Sequence, residues 1–134
     1  GSPTIAYNSV AAMPKRYSRY LPRMKLYADE MTLETSTFCP GLQRVGRFEV
    51  GNIGYPGGFT AVVEPAESPL GPPVTVSREQ VRSGQDVEVF VDTTGLDAGL
   101  YLVYINVRTA IGGDIRAQNI RAFVIIRDSI GTGC

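Results

Sequence analysis

The stretches Asp86-Val87-Glu88-Val89-Phe90-Val91-Asp92 and Tyr101-Leu102-Val103-Tyr104-Ile105-Asn106-Val107-Arg108 decide the fold of this 134-residue chain. In the first, Val87, Val89 and Val91 alternate with Glu88, Phe90 and Asp92. In the second, Tyr101, Val103, Ile105 and Val107 alternate with Leu102, Tyr104, Asn106 and Arg108. Successive side chains of a strand point to opposite faces, so each series describes a strand with one strongly apolar face. No stretch shows convincing helical periodicity. Working outward, strands are predicted near residues 24–28, 31–36, 44–51, 58–64, 73–77, 85–92, 100–109 and 115–127. Turn signals separate them: Cys39-Pro40-Gly41, Gly51-Asn52-Ile53-Gly54, Pro56-Gly57-Gly58, the Pro-rich Ser68 to Pro73, Gly95 to Gly99, and Gly112-Gly113-Asp114. Gly112-Gly113 between two long strands is a hairpin signal. Short strands divided by such turns read as an all-β antiparallel sandwich of seven or eight strands.

The last strand is apolar on both faces. Ile120, Ala122, Val124 and Ile126 form one side, while Phe123 and Ile125 lie on the other. Either the strand changes sheet at a bulge, or another chain covers the second face or an edge beside it.

One domain accounts for the length, and 43% hydrophobic residues supply an ordinary core. Lysine plus arginine and aspartate plus glutamate each number 13, but the balance hides a division. Residues 1–26 carry +5 and residues 27–134 carry −5. The chain therefore divides into a basic N-terminal arm (1–23), a sandwich (24–128) and a short tail (129–134). The arm holds Pro3, Pro14 and Pro22 together with Tyr7, Tyr17 and Tyr20. It is either a solvated leader or a segment that lies on something. The start Gly1-Ser2 fits a cleaved secretory signal or a scar of tag removal.

Histidine and tryptophan are absent. That removes the commonest general base and the commonest transition-metal ligand, so a His-dependent hydrolase and a Cys2His2 zinc site are excluded. Cys39 has no histidine to activate it. The 13 acids allow many carboxylate pairs without singling one out, and Asp92, Asp97 and Asp114 lack the spacing of a calcium loop. The expectation is a non-enzymatic protein with no cofactor and no metal. The run Lys15-Arg16-Tyr17-Ser18-Arg19-Tyr20 could grip single-stranded nucleic acid, but the acidic body would repel a phosphate backbone, so no nucleic-acid partner is expected. Apolar runs of four or five residues fall far short of the roughly 20 that span a bilayer.

The segment Leu96-Asp97-Ala98-Gly99-Leu100-Tyr101 resembles the tyrosine corner of immunoglobulin-like (Ig-like) domains, in which a tyrosine at the start of a strand hydrogen-bonds back to the loop before it. Where those domains commonly carry a cysteine two residues later, this chain has Val103. With Ser83-Gly84-Gln85-Asp86, the alternating valines and Asp92-Thr93-Thr94-Gly95-Leu96, the stretch from roughly residue 45 to 127 resembles Ig-like bacterial surface domains of the BACON type. The resemblance implies an Ig-like antiparallel β-sandwich, an extracellular or cell-surface location, and a structural role for Asp97, Gly99 and Tyr101. It supplies no catalytic residues.

An open sandwich edge accepts an extended peptide by strand addition. Thr4 to Val10 contains neither proline nor charge, and Ile5 and Tyr7 share a face. At roughly 3.3 Å per residue, 22 extended residues reach about 70 Å, against a radius of gyration of about 13 Å for a domain of this size. The layout resembles donor-strand exchange in pilus-like filaments. The expected partners are identical subunits, joined through an assembly arm of Ile5, Tyr7, Val10, Arg16, Tyr17, Arg19 and Tyr20. The alternatives are a monomeric surface module that binds a glycan or protein or serves as a spacer, and a virion decoration protein. Cys39 and Cys134 either pair within one chain, pair between chains, or stay reduced.

Overall fold

A computed structural model describes residues 20–66 and 71–128. Its nine strands are β1 (Met24–Ala28), β2 (Thr32–Ser36), β3 (Leu42–Asn52), β4 (Thr60–Pro65), β5 (Val74–Val76), β6 (Gln80–Arg82), β7 (Asp86–Asp92), β8 (Gly99–Ile111) and β9 (Asp114–Arg127), with no helix among the described residues. They form a four-stranded sheet, β1-β3-β7-β5, and a five-stranded sheet, β2-β9-β8-β4-β6. The orders β1-β3-β7-β5 and β4-β8-β9 reproduce the two sheets of an Ig constant-type sandwich. The all-β sandwich expected from the alternating valines, with the Ig-like arrangement that the resemblance implied, is the fold.

The core lies where the two apolar faces meet. Phe48 and Val50 of β3 and Val87, Val89 and Val91 of β7 are fully buried against Val63, Ile105, Val107 and Val124 of the opposite sheet. Each such valine contributes roughly 1.5–3 kcal/mol relative to an exposed one. The β8–β9 hairpin turns on Gly112 (φ 60°) and Gly113 (φ 84°), the two left-handed residues that a type I′ turn requires. Tyr101 Oη donates to the Asp97 carbonyl at 2.7 Å, which ties the start of β8 to the loop before it.

Two details correct the sequence reading. Among the described residues there are nine strands rather than seven or eight: the three-residue β6 pairs with Thr60–Val62 of β4 and is too short to show a period. The sandwich is also not wholly antiparallel. β1 pairs with β3 at the edge of one sheet, then the chain crosses to the other sheet, where β2 runs parallel to β9 with Thr32 opposite Phe123 and Ser36 opposite Arg127. Crossing without reversing leaves β1 and β2 pointing the same way, and β9 happens to share that direction.

A candidate assembly edge on the last strand

The crossing of β1 to β2 leaves each sheet half covered on one side. β1 covers only Phe48–Asn52 of β3, and β2 covers only Phe123–Arg127 of β9. The uncovered half of β3 carries a bulge between Arg44 and Gly46, a feature that blunts an edge against pairing. The uncovered half of β9 has no such break: its pairing with β8 runs in continuous register from Asp114 to Ile126. Phe123 donates its N–H to the Met31 carbonyl on the β2 side. Residues at two-residue intervals share that direction, so Ile115, Ala117, Asn119 and Arg121 turn their backbone groups away from β8. Among the described residues no strand pairs with them.

Beside this edge runs a groove of about 560 Å³, bounded by Leu21 to Met24, Ile53 and Gly54 on one side and by Ile111, Asp114 and Arg116 to Gln118 on the other. Gln118 sits on the core-facing parity of β9, where Ile120 and Ala122 are apolar, and spans the seam between the sheets. Its Nε2 donates to the Met24 carbonyl at 2.9 Å and its Oε1 accepts from the Leu26 N–H at 3.3 Å. The amide thus takes the place of a neighbouring strand on the free side of β1.

Residues 20–23 are fastened to the body at the same pole. Asn52 organises the attachment: its Oδ1 accepts from the N–H groups of Arg23 and Gly54, each at 2.9 Å, and its Nδ2 donates to the carbonyls of Tyr55 and Gly57, each at 3.0 Å. The backbone adds Ile53 N–H to Arg23 O and Tyr55 N–H to Leu21 O. Gly54 lies so close that a Cβ there would meet the Leu21 oxygen at 2.6 Å. Tyr20 packs edge-on against Tyr55, with ring centroids 5.7 Å apart.

Of the assembly-arm residues, only Tyr20 is described, and it lies against its own body. Ile5, Tyr7, Val10, Arg16, Tyr17 and Arg19 fall outside the described residues, as does Cys134. Cys39 is disulfide-bonded. Asp97, Gly99 and Tyr101 come together, but Gly99 has no left-handed backbone, and a Cβ there would make only ordinary contact with the Tyr101 ring. Asn52 and Gln118 were missed. Asn52 lay inside a recognised turn signal, and Gln118 showed itself only as a polar residue on an apolar parity.

Among the described residues no group of histidine, cysteine, aspartate and glutamate is placed to hold a metal ion. The carboxyl of Asp92 is held below its ordinary pKa because the Thr94 hydroxyl (2.7 Å) and N–H (3.0 Å) both donate to it, which is the chemistry of a turn. No helix among the described residues is long and apolar enough to cross a membrane.

No protein-family model matches the chain, BACON-type or other, and no curated protein matches it. Among solved structures it is similar to the Escherichia coli chaperone DraB, at 16% identity and a TM-score of 0.45, over 75% of this chain and 54% of that one. It is similar also to the YadV chaperone, at 14% identity and a TM-score of 0.49, over 83% of this chain and 55% of that one. The chain thus spans about half the length of these structures. Likeness at this level extends to the sandwich outline alone.

Proposed function

We propose that this protein is a non-enzymatic structural subunit of an extracellular, pilus-like filament. Its subunits join by strand addition at β9, and the donor is the N-terminal arm of a neighbouring copy. The observation that carries the reading is the half-covered β9. It is a 14-residue strand with regular outward backbone groups from Ile115 to Arg121 and a groove alongside, while the shorter free half of β3 is bulged. A donor strand contributes main-chain hydrogen bonds along the edge, and alternate side chains drop into the groove. The uncharged segment Thr4 to Val10, with Ile5 and Tyr7 on one face, has the composition for this. The basic residues Arg16, Tyr17-flanked, and Arg19 lie between that segment and the root at Tyr20, and their charge complements the acidic body. Anchoring the root through Asn52 holds the arm's point of departure beside the hairpin pole. The disulfide at Cys39 suits an oxidising, surface location.

The test pairs two variants of the full chain, observed by sedimentation and negative-stain microscopy. Deleting residues 1–19 removes the donor. Ala117→Pro removes one outward N–H from the acceptor edge and leaves the β8 ladder in place, since Pro is tolerated on edge strands. Both are expected to lose long assemblies and to keep a β-rich far-UV spectrum. Filaments that persist in either variant refute strand addition at β9.

A further inference from the structure

The outer face of the five-stranded sheet carries a second surface, which adjoins the free β9 edge at Arg121 and presents side chains rather than backbone groups. Near the pole opposite the hairpin, β8 and β9 pair Leu100 with Ile125, Leu102 with Phe123, and Tyr104 with Arg121. Leu100 is 67% exposed, Phe123 42% and Tyr104 41%. Beyond the Tyr104 row the face turns polar, with Asn106 opposite Asn119 and Arg108 ion-paired to Glu64. On the neighbouring β2, Glu34 stands beside Ile125. Glu34 and Arg121 are both exposed, and neither forms an ion pair among the described residues.

From this arrangement we infer that the face binds a second copy of the chain, as a two-fold stack of sheet on sheet. Aligned sheets pack about 10 Å apart, with strands within about 30° of each other. Place the two-fold axis between the sheets, across the strands, at the level of the Phe123–Leu102 row. The operation reverses each strand's direction but keeps it over its own copy. Phe123 then meets its own copy, Leu102 does the same, and Leu100 lies over the partner's Tyr104. Arg121 comes to lie one strand spacing, about 4.8 Å sideways, from Glu34 of the partner subunit. The axis forms this pair twice, so both unpaired charges find partners at the rim of the apolar patch. That self-complementarity singles out a copy of this chain over a foreign ligand, because a two-fold interface must match itself. Such a contact would join filaments, or subunits, side by side, where strand addition joins them in line.

Sedimentation velocity on the full chain tests this, with Phe123→Glu, Arg121→Glu, Glu34→Arg and the Arg121→Glu/Glu34→Arg double variant. All three substituted side chains are exposed, and far-UV dichroism verifies folding. The lateral association is expected to weaken at least tenfold in each single variant and to return within about threefold of wild type in the double. In Ala117→Pro, where strand addition is blocked, the remaining species is expected to be a dimer. Three results would overturn the proposal: a monomeric Ala117→Pro chain, association unaffected by Phe123→Glu, or a double variant no better than its parent singles.

Discussion

Replacing Asn52 by alanine removes four hydrogen bonds at one point, two accepted by Oδ1 and two donated by Nδ2. A buried hydrogen bond has a net worth of about 0.5–1.5 kcal/mol, and these are exposed, so each belongs at the low end. The four groups left behind can also bond to water, which removes the penalty of an unsatisfied partner. The sum is about 2 kcal/mol, which for a domain of this size lowers Tm by roughly 6–12 °C. Thermal unfolding followed by dichroism reads the total. Amide exchange reads its place: the N–H groups of Ile53 and Tyr55, bonded to Arg23 O and Leu21 O, are expected to exchange faster, while Val89 and Ile105 in the sheet centres change only with global stability. A Tm within 2 °C of wild type, with Tyr55 exchange unchanged, refutes the view that Asn52 fastens the arm's root.

Other outcomes follow from single contacts. Tyr101→Phe deletes the bond to the Asp97 carbonyl and is expected to cost about 1 kcal/mol, read from the urea midpoint. Phe48→Ala empties the most buried large site and is expected to cost about 3–5 kcal/mol in the same assay. Asp92 has a folded pKa below its unfolded value of about 3.9, so its contribution is present above that pH and fades as pH falls through the folded value; the stability of Asp92→Asn is expected to lack this decline below about pH 4. Assembly rates are expected to fall between 0.01 M and 0.15 M salt, as the Debye length shrinks from about 30 Å to about 8 Å and the basic residues 1–26 (+5) lose sight of the acidic residues 27–134 (−5).

What the sequence reveals here is which face each residue takes, and what it conceals is which strand lies beside it. The valines of β7 and β8 announce their inward face because a two-residue period is local, and Gly112-Gly113 announces its turn because few residues accept positive φ. The parallel pairing of β2 with β9 joins residues some 90 positions apart, and nothing in Thr32 to Ser36 names that partner. The same distance hides the reach of Gln118 to Met24 and Leu26, and a separation of 29 positions is enough to hide that of Asn52 to Arg23. The doubly apolar character of the last strand was legible, but no bulge interrupts β9. Its second apolar face is an exposed surface at Phe123.

Amide hydrogen exchange along β9 tests the central claim most directly. Ile120 and Ala122 turn their N–H groups toward β8 and serve as internal references, while Ile115, Ala117, Asn119 and Arg121 turn theirs to the free edge. In the assembled 134-residue chain these four amides are predicted to be protected to a degree approaching that of Ile120, and in the chain lacking residues 1–19 they are predicted to exchange as exposed groups. Filaments in which the four remain as fast as in the truncated chain would contradict strand addition at β9.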